Sequence, residues 1–242
     1  MGLVLANRLS REYINSLPII RFEGEVVVVT DEQQAEEAIK RLAEETYIGF
    51  DTESRPSFTK GTSYPVSLVQ FSTHDTAYLF QLKKIGFPDF LVDLLENPQV
   101  KKIGVGVKND IEKLRELKEF TAGGFIDLSK LAAKKGIIQV GLRGLTARYI
   151  ERRLTKTAQK TNWAHPRLTR KQQIYAASDA WICLRIYPRL LEDTIDYRQF
   201  IEDEKEKEEN RKAVGIDQEG RAAQDDRLKT KFLQSFNKKE ES

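Results

Sequence analysis

Strand-like segments crowd the first third of this chain and alternate with helices after it. That order restricts the fold more than any other property of the sequence. Residues 22–30 (FEGEVVVVT) contain four consecutive valines, a β-branched run expected in a buried strand. A helix follows, opened by a capping box of Thr30 and Gln33, with Ala35, Ala38, Ile39, Leu42 and Ala43 on one face. Residues 47–52, 65–72 and 76–80 read as three more strands, the last two joined by a turn at His74 and Asp75. A short helix over 90–95 stops before Pro98, and residues 101–107 form the next strand. Asn109 or Asp110 is expected to cap a helix through Ile111, Leu114 and Leu117, and residues 125–127 are a short strand running into another helix. Residues 142–150 are helical, and Thr169 caps a long helix over about 170–193 that should kink or restart at Pro188. An antiparallel meander followed by parallel strands is an α/β fold with a mixed central sheet flanked by helices.

The 242 residues suffice for one ordinary domain with its own core. Residues 1–22 read as an N-terminal arm, with a short helix over 8–17 stopped by Pro18. Residues 23–195 form the domain. Residues 196–242 read as a charged helical or flexible extension, opened by the run EDEKEKEENRK. A single cysteine excludes an intramolecular disulfide framework and suits a reducing compartment. No apolar run reaches the roughly 20 residues that cross a bilayer, and the N-terminus lacks the form of a secretory signal. The expectation is a cytoplasmic protein with no membrane contact. The formal charge is +3 overall and near +5 over residues 1–200, a mildly basic body that suits a phosphate-bearing partner without requiring one.

Four acids stand out by position. Asp51 and Glu53 end a strand, and residues two apart on a strand share a face. Asp110 stands where a later strand turns into a helix, also at a carboxyl end, where open α/β sheets place their sites. Tyr175 and Asp179 are four apart on the long helix and therefore neighbours. Carboxylates brought together raise one another's proton affinity, and a divalent cation relieves the repulsion. An all-oxygen ligand set without His or Cys favours Mg²⁺ or Mn²⁺ over Zn²⁺, and two such ions can clamp an in-line displacement at phosphorus. Tyr175 is too weak a base to take the proton but could hold the attacking water.

Three motifs follow this order: IGFDTESRPSF over 48–58 followed by VSLVQFS, KIGVGVKNDIEKLREL over 102–117, and YAASDAWICLRIY over 175–187 preceded by TNWAHPRLT. Across residues 23–192 the sequence resembles the 3′→5′ exonucleases of the DEDD superfamily, tyrosine branch, which include ribonuclease D and the Werner syndrome exonuclease domain. A histidine-branch member would carry His five residues before the last Asp, where this chain has Ile174. The resemblance implies a ribonuclease H-like fold, two divalent cations, and stepwise removal of nucleoside 5′-monophosphates from DNA or RNA with a free 3′ end. It implies Asp51, Glu53, Asp110 and Asp179 as metal ligands and Tyr175 as the residue positioning the water. Thr52, Phe58, Asn162 and Trp163 are the expected substrate contacts, Phe58 as a wedge against the terminal base. No protein partner is implied.

Other features have plainer readings. Gly104 and Gly106 begin a dinucleotide fingerprint whose third glycine is replaced by Asn109, so close packing is expected instead. His74 and His165 lack the partners for zinc, and Cys183 reads as a small buried hydrophobe. Trp163 also suits plain packing. Arg148, Arg152, Arg153, Lys156, Lys160 and Arg167 concentrate charge before the third motif, as a solvated face or a phosphate-tracking groove. The competing function is a catalytically inactive nucleic-acid-binding module of the same fold.

Overall fold

The computed structural model describes residues 8–57, 59 and 61–200. It divides the chain into two units, Met1–Tyr197 and Arg198–Ser242. The expectations for Phe58, for residues 1–7 and for the extension from 201 onward lie outside the described residues.

In chain order the elements are α1 (Arg11–Ser16), β1 (Glu25–Val29), α2 (Glu32–Ala43), β2 (Tyr47–Ser54), β3 (Val66–Ser72), β4 (Thr76–Gln81), α3 (Leu82–Ile85), α4 (Asp89–Glu96), β5 (Lys101–Gly104), α5 (Val107–Arg115), β6 (Phe125–Asp127), α6 (Leu128–Lys134), α7 (Leu142–Ile150) and α8 (Arg170–Glu192). The six strands form one sheet in the order β1-β4-β3-β2-β5-β6. The β2–β3 and β3–β4 pairs are antiparallel; β1–β4, β2–β5 and β5–β6 are parallel. This is the mixed α/β sheet anticipated from the element order.

Strand alternation divides the core into two layers. Phe50, Val69, Phe71 and Phe80 point to the face covered by α2 and α4, where they meet Ala35, Ile39, Leu42, Leu91 and Leu95. Phe50 packs edge-on to Phe125 and tilted against Phe71, so β2 is held from both sides by aromatic contacts. Leu68 and Leu79 point to the other face, toward Trp163, Leu168 and Ala176 of α8 and the loop before it. Along β2, then, Ile48 and Phe50 enter one layer while Gly49, Asp51 and Glu53 face α8.

Several expectations are corrected. The valine run is an edge strand, and only Val29 of β1 is fully buried, because β1 pairs on one side alone. The cap of α2 is Asp31 rather than Thr30: its side chain accepts from the Gln34 N–H at 2.9 Å, and Gln34 reaches back to the Thr30 N–H at 3.2 Å. The pairing is one residue later than read, with Asp31 as the N-cap in an extended conformation. β5 ends at Gly104, and α5 begins at Val107 behind Gly106, whose φ of 73° is open to glycine. Asp110 thus lies in the first turn, and the N-cap position belongs to Gly106. α8 runs through Pro188 to Glu192 without restarting, and ends about one turn beyond the proline at the cap residue Asp193. The Thr169–Gln172 capping box at its start is as expected. Gly104 is a close-packing glycine, as read: a Cβ there would lie 2.7 Å from the Phe50 carbonyl oxygen.

The tightest helix–sheet contact is at Gly49. A Cβ on it would lie 2.1 Å from the carbonyl oxygen of Ala180, so α8 rests directly on the β2 backbone. We expect Gly49→Ala to destabilise the fold by about 1–3 kcal/mol through overpacking. Urea denaturation should show the loss, and a midpoint equal to wild type would contradict the contact.

Candidate active site

The carboxyl half of β2 and the middle of α8 meet just beyond the Gly49–Ala180 contact. Asp51 and Glu53 project from β2 toward α8, and Asp179 of α8 precedes Ala180 in sequence. Each of Asp51, Glu53 and Asp179 offers a carboxylate oxygen, and these oxygens lie within 4.8 Å of one another. Asp179 is buried, while Asp51 and Glu53 are half-buried. Among the described residues, no Lys or Arg forms an ion pair with any of the three. Tyr175 stands one turn before Asp179, near enough for the phenol and the carboxylate to shift each other's proton affinity.

Asp110 is placed differently. Its carboxylate accepts a hydrogen bond from the Thr52 hydroxyl at 2.5 Å. Thr52 lies between Asp51 and Glu53 along β2, so this bond tethers Asp110 to the same strand beside the three-acid cluster. It still lies near enough to raise Asp51 and Glu53 electrostatically. Of the four acids picked out in the sequence, the structure brings three together and sets the fourth beside them.

Electrostatics mark the cluster as strained without a counter-charge. Burial first, and then Asp179, Asp110 and Glu53, raise Asp51 well above the usual carboxylate range. Burial, with Asp179 and Asp110 after it, pushes Glu53 up to about 8, against the pull of Lys113. Burial pushes Asp179 up to about 7, with the Tyr175 hydroxyl acting the other way. Asp110 is raised by burial, and the Thr52 hydroxyl opposes the shift. Burial and the neighbouring carboxylates push the Tyr175 phenol further above its ordinary value, so it keeps its proton at neutral pH. Convergent carboxylate oxygens lacking a cation form a donor set suited to a hard divalent ion.

The cluster opens onto a cavity of about 670 Å³, lined by the three acids, Tyr175 and residues of the 138–144 and 154–159 segments. A second cavity of about 320 Å³ shares Tyr175, Asp179, Leu154 and Thr155 with the first. Tyr175 and Asp179 therefore stand at the junction of two hollows.

The expected substrate contacts fare unevenly. Thr52 is engaged with Asp110. Asn162 is exposed, and its side chain accepts from the Ala164 N–H within its own loop. Trp163 is 1% exposed and lies 5.8 Å, ring to ring, behind Tyr175. It cannot stack on a base; burial against Leu68, Leu79 and Ala176 makes it a packing residue. The basic concentration does not form one groove. Lys156 lines the cavity, whereas Arg153 donates to the Leu17 carbonyl and the Arg148 guanidinium stacks on the Tyr197 ring. Cys183 is buried, as expected. Sequence reasoning missed Gln70, which pairs with Asp51 across the β2–β3 ladder. It is fully buried, and neither side-chain amide atom has a partner. Its signal was a polar residue inside the apolar strand VSLVQFS.

Residues 26–195 match the family described as 3'-5' exonuclease. The chain belongs to this 3'-5' exonuclease family. It is 31% identical over 186 residues to the mouse bifunctional 3'-5' exonuclease/ATP-dependent helicase WRN, covering 73% of this chain and 13% of that protein. It is also 31% identical over 205 residues to an Arabidopsis thaliana 3'-5' exonuclease, covering 78% of this chain and 70% of that one. Among solved structures, the Aedes aegypti Nibbler EXO domain superimposes with a TM-score of 0.64 at 21% identity, covering 76% of this chain and 98% of that one. Escherichia coli RNase D superimposes with a TM-score of 0.63 at 23% identity, covering 71% and 45%. These likenesses establish the ribonuclease H-like exonuclease fold that the three motifs imply. Among the described residues, no helix is long and apolar enough to cross a membrane.

The raised carboxyls have a consequence for stability. In the metal-free protein, Glu53 and Asp179 hold protons at pH values where the unfolded chain has released them. Folding therefore weakens as pH rises from about 4, through 7 and 8, the values to which Asp179 and Glu53 are pushed. We expect the melting temperature in EDTA to fall between pH 5 and pH 9, and saturating Mg²⁺ or Mn²⁺ to restore most of the loss. Asp179→Asn should flatten the slope in EDTA. A pH-independent melting temperature would contradict the assignment.

Proposed function

We propose that this member of the exonuclease family removes nucleotides one at a time from the 3′ end of a DNA or RNA strand and releases nucleoside 5′-monophosphates. The observation behind this reading is the convergence of Asp51, Glu53 and Asp179 beside Tyr175 at the mouth of a cavity of about 670 Å³. Asp51, Glu53 and Asp179, with Asp110 adding charge, would hold two divalent cations, Mg²⁺ or Mn²⁺. When bound, these supply a counter-charge for the phosphate and acidify the attacking water.

The chain's own residues then have definable parts. Tyr175 stays protonated beside Asp179, so its hydroxyl would hold the attacking water in line without acting as a base. Trp163, packed behind the phenol, limits its rotamers. Glu53, further along β2 than Asp51, would accept from the terminal 3′-hydroxyl. Thr52 restrains Asp110 through its hydroxyl.

The deciding experiment incubates the protein with 5′-labelled single-stranded DNA, recessed duplex DNA and RNA, in Mg²⁺, Mn²⁺ or EDTA. A metal-dependent ladder shortening from the 3′ end is expected, absent in Asp51→Ala and in Asp179→Ala while both stay folded. Binding without degradation in any metal would instead identify an inactive nucleic-acid-binding module. Tyr175→Phe should lower turnover roughly ten- to a hundredfold, the worth of one hydrogen bond to a charged centre, with little change in substrate affinity. Equal losses in both would remove the water-positioning role.

A further inference from the structure

The cavity beside the carboxylates has a wall that neither the three motifs nor the exonuclease reading accounts for. Residues 138–144 and the N-terminal turn of α7 form part of that lining, together with Ile14 of α1. α1 belongs to the N-terminal arm, outside the 26–195 family match.

The arm is tied to this wall at several points. Leu9 exchanges two hydrogen bonds with the side chain of Gln139, at 2.7 and 2.8 Å. Leu9 and Ile14 are buried against Ala147 of α7. The Asn15 side-chain oxygen accepts from the Arg143 guanidinium. The Arg153 N–H and guanidinium donate to the carbonyls of Pro18 and Leu17, which sets the start of the 154–159 segment.

Arg143 is the unexplained residue. It lines the cavity, and among the described residues its hydrogen-bond partner is the neutral amide of Asn15. Its Nε is buried with no hydrogen-bond partner. Among the described residues, no carboxylate lies within ion-pair distance of it. It does not serve the carboxylate cluster either, since it forms no ion pair with Asp51, Glu53 or Asp179. A guanidinium held in place on the cavity wall with no carboxylate to compensate its charge fits an incoming anion. Lys156 lines the same cavity, and no side chain caps the first turn of α7.

We propose that Arg143, held by Asn15 of the arm, binds a backbone phosphate of the polynucleotide in the cavity next to the carboxylates. This makes the arm part of the substrate-binding apparatus. The inference rests on the nucleic-acid reading of the site but not on hydrolysis.

The test measures binding of a fluorescent single-stranded DNA or RNA 12-mer to the full chain in the Asp51→Asn background, across a salt series. Arg143→Gln should weaken binding about tenfold or more and reduce the slope of log Kd against log salt by about 0.7–1. Arg143→Lys should keep the slope and lose part of the affinity, which separates a lost charge from a disturbed fold. Asn15→Ala should weaken binding severalfold, and the Asn15→Ala/Arg143→Gln double variant should bind no worse than Arg143→Gln alone. Unchanged affinity and slope in Arg143→Gln would overturn the phosphate site. Additive losses in the double variant, or none from Asn15→Ala, would overturn the role of the arm. If wild type degrades nothing yet these binding effects appear, the exonuclease reading fails and the phosphate site stands.

Discussion

The structure depends on one close approach, the Ala180 carbonyl of α8 resting on the backbone of Gly49 in β2. A strand and a helix with ordinary side chains between them stand about 10 Å apart, too far for short acidic side chains to converge. Glycine at this point removes that layer. Because alternate residues of a strand share a face, the same choice turns Asp51 and Glu53 toward the helix. Asp179, the residue before Ala180, is then brought to them. The three-acid cluster is a direct consequence of where the helix touches the sheet.

The fold holds this cluster in place through the packing and capping of the elements that carry it. Phe50, Phe71, Phe80 and Phe125 clamp the opposite face of β2 and its neighbours. The Thr169–Gln172 capping box secures the start of α8. Gln172 also reaches Thr161 and the Asn162 carbonyl, and Gln81 reaches the His165 carbonyl, fastening the loop that carries Trp163. Tyr175 is supported from behind by this loop. Repulsion among the carboxylates works against folding, and the apolar core supplies the margin that keeps them together.

The cavity is assembled from less regular material. Its acidic part comes from β2 and α8, elements within the family match. Another part of its lining comes from the 138–144 and 154–159 segments, which the N-terminal arm braces through Leu9, Asn15, Leu17 and Pro18. In the proposed reading two physical demands fall to different parts of the chain: fixed geometry among the acids to packed regular elements, and purchase on a flexible polymer to braced loops.

Much of this was legible in the sequence. The strand–helix order, the Asp51–Glu53 pair on one strand face and the Tyr175–Asp179 pair on one helix face follow from backbone periods of two and 3.6 residues, which depend only on neighbours along the chain. The cap of α2 was misplaced by one residue because Thr30 and Asp31 both have capping side chains, and only the backbone conformation chooses between them. The valine run reads equally well as a central or an edge strand, since β-branching favours both. Lys102 looks like a surface charge in KKIGV, yet it is fully buried, donating to the carbonyls of Leu94 and Asn97 at 2.9 and 2.6 Å. The sequence by itself determined which acids could pair within an element and what chemistry such pairs suit. Only the tertiary structure decided that Asp179 meets Asp51 and Glu53 while Asp110 turns to Thr52, that Trp163 backs the tyrosine, and that the arm reaches Arg143. Distances between elements are set by side-chain volume at their contacts, and no spacing along the chain encodes them.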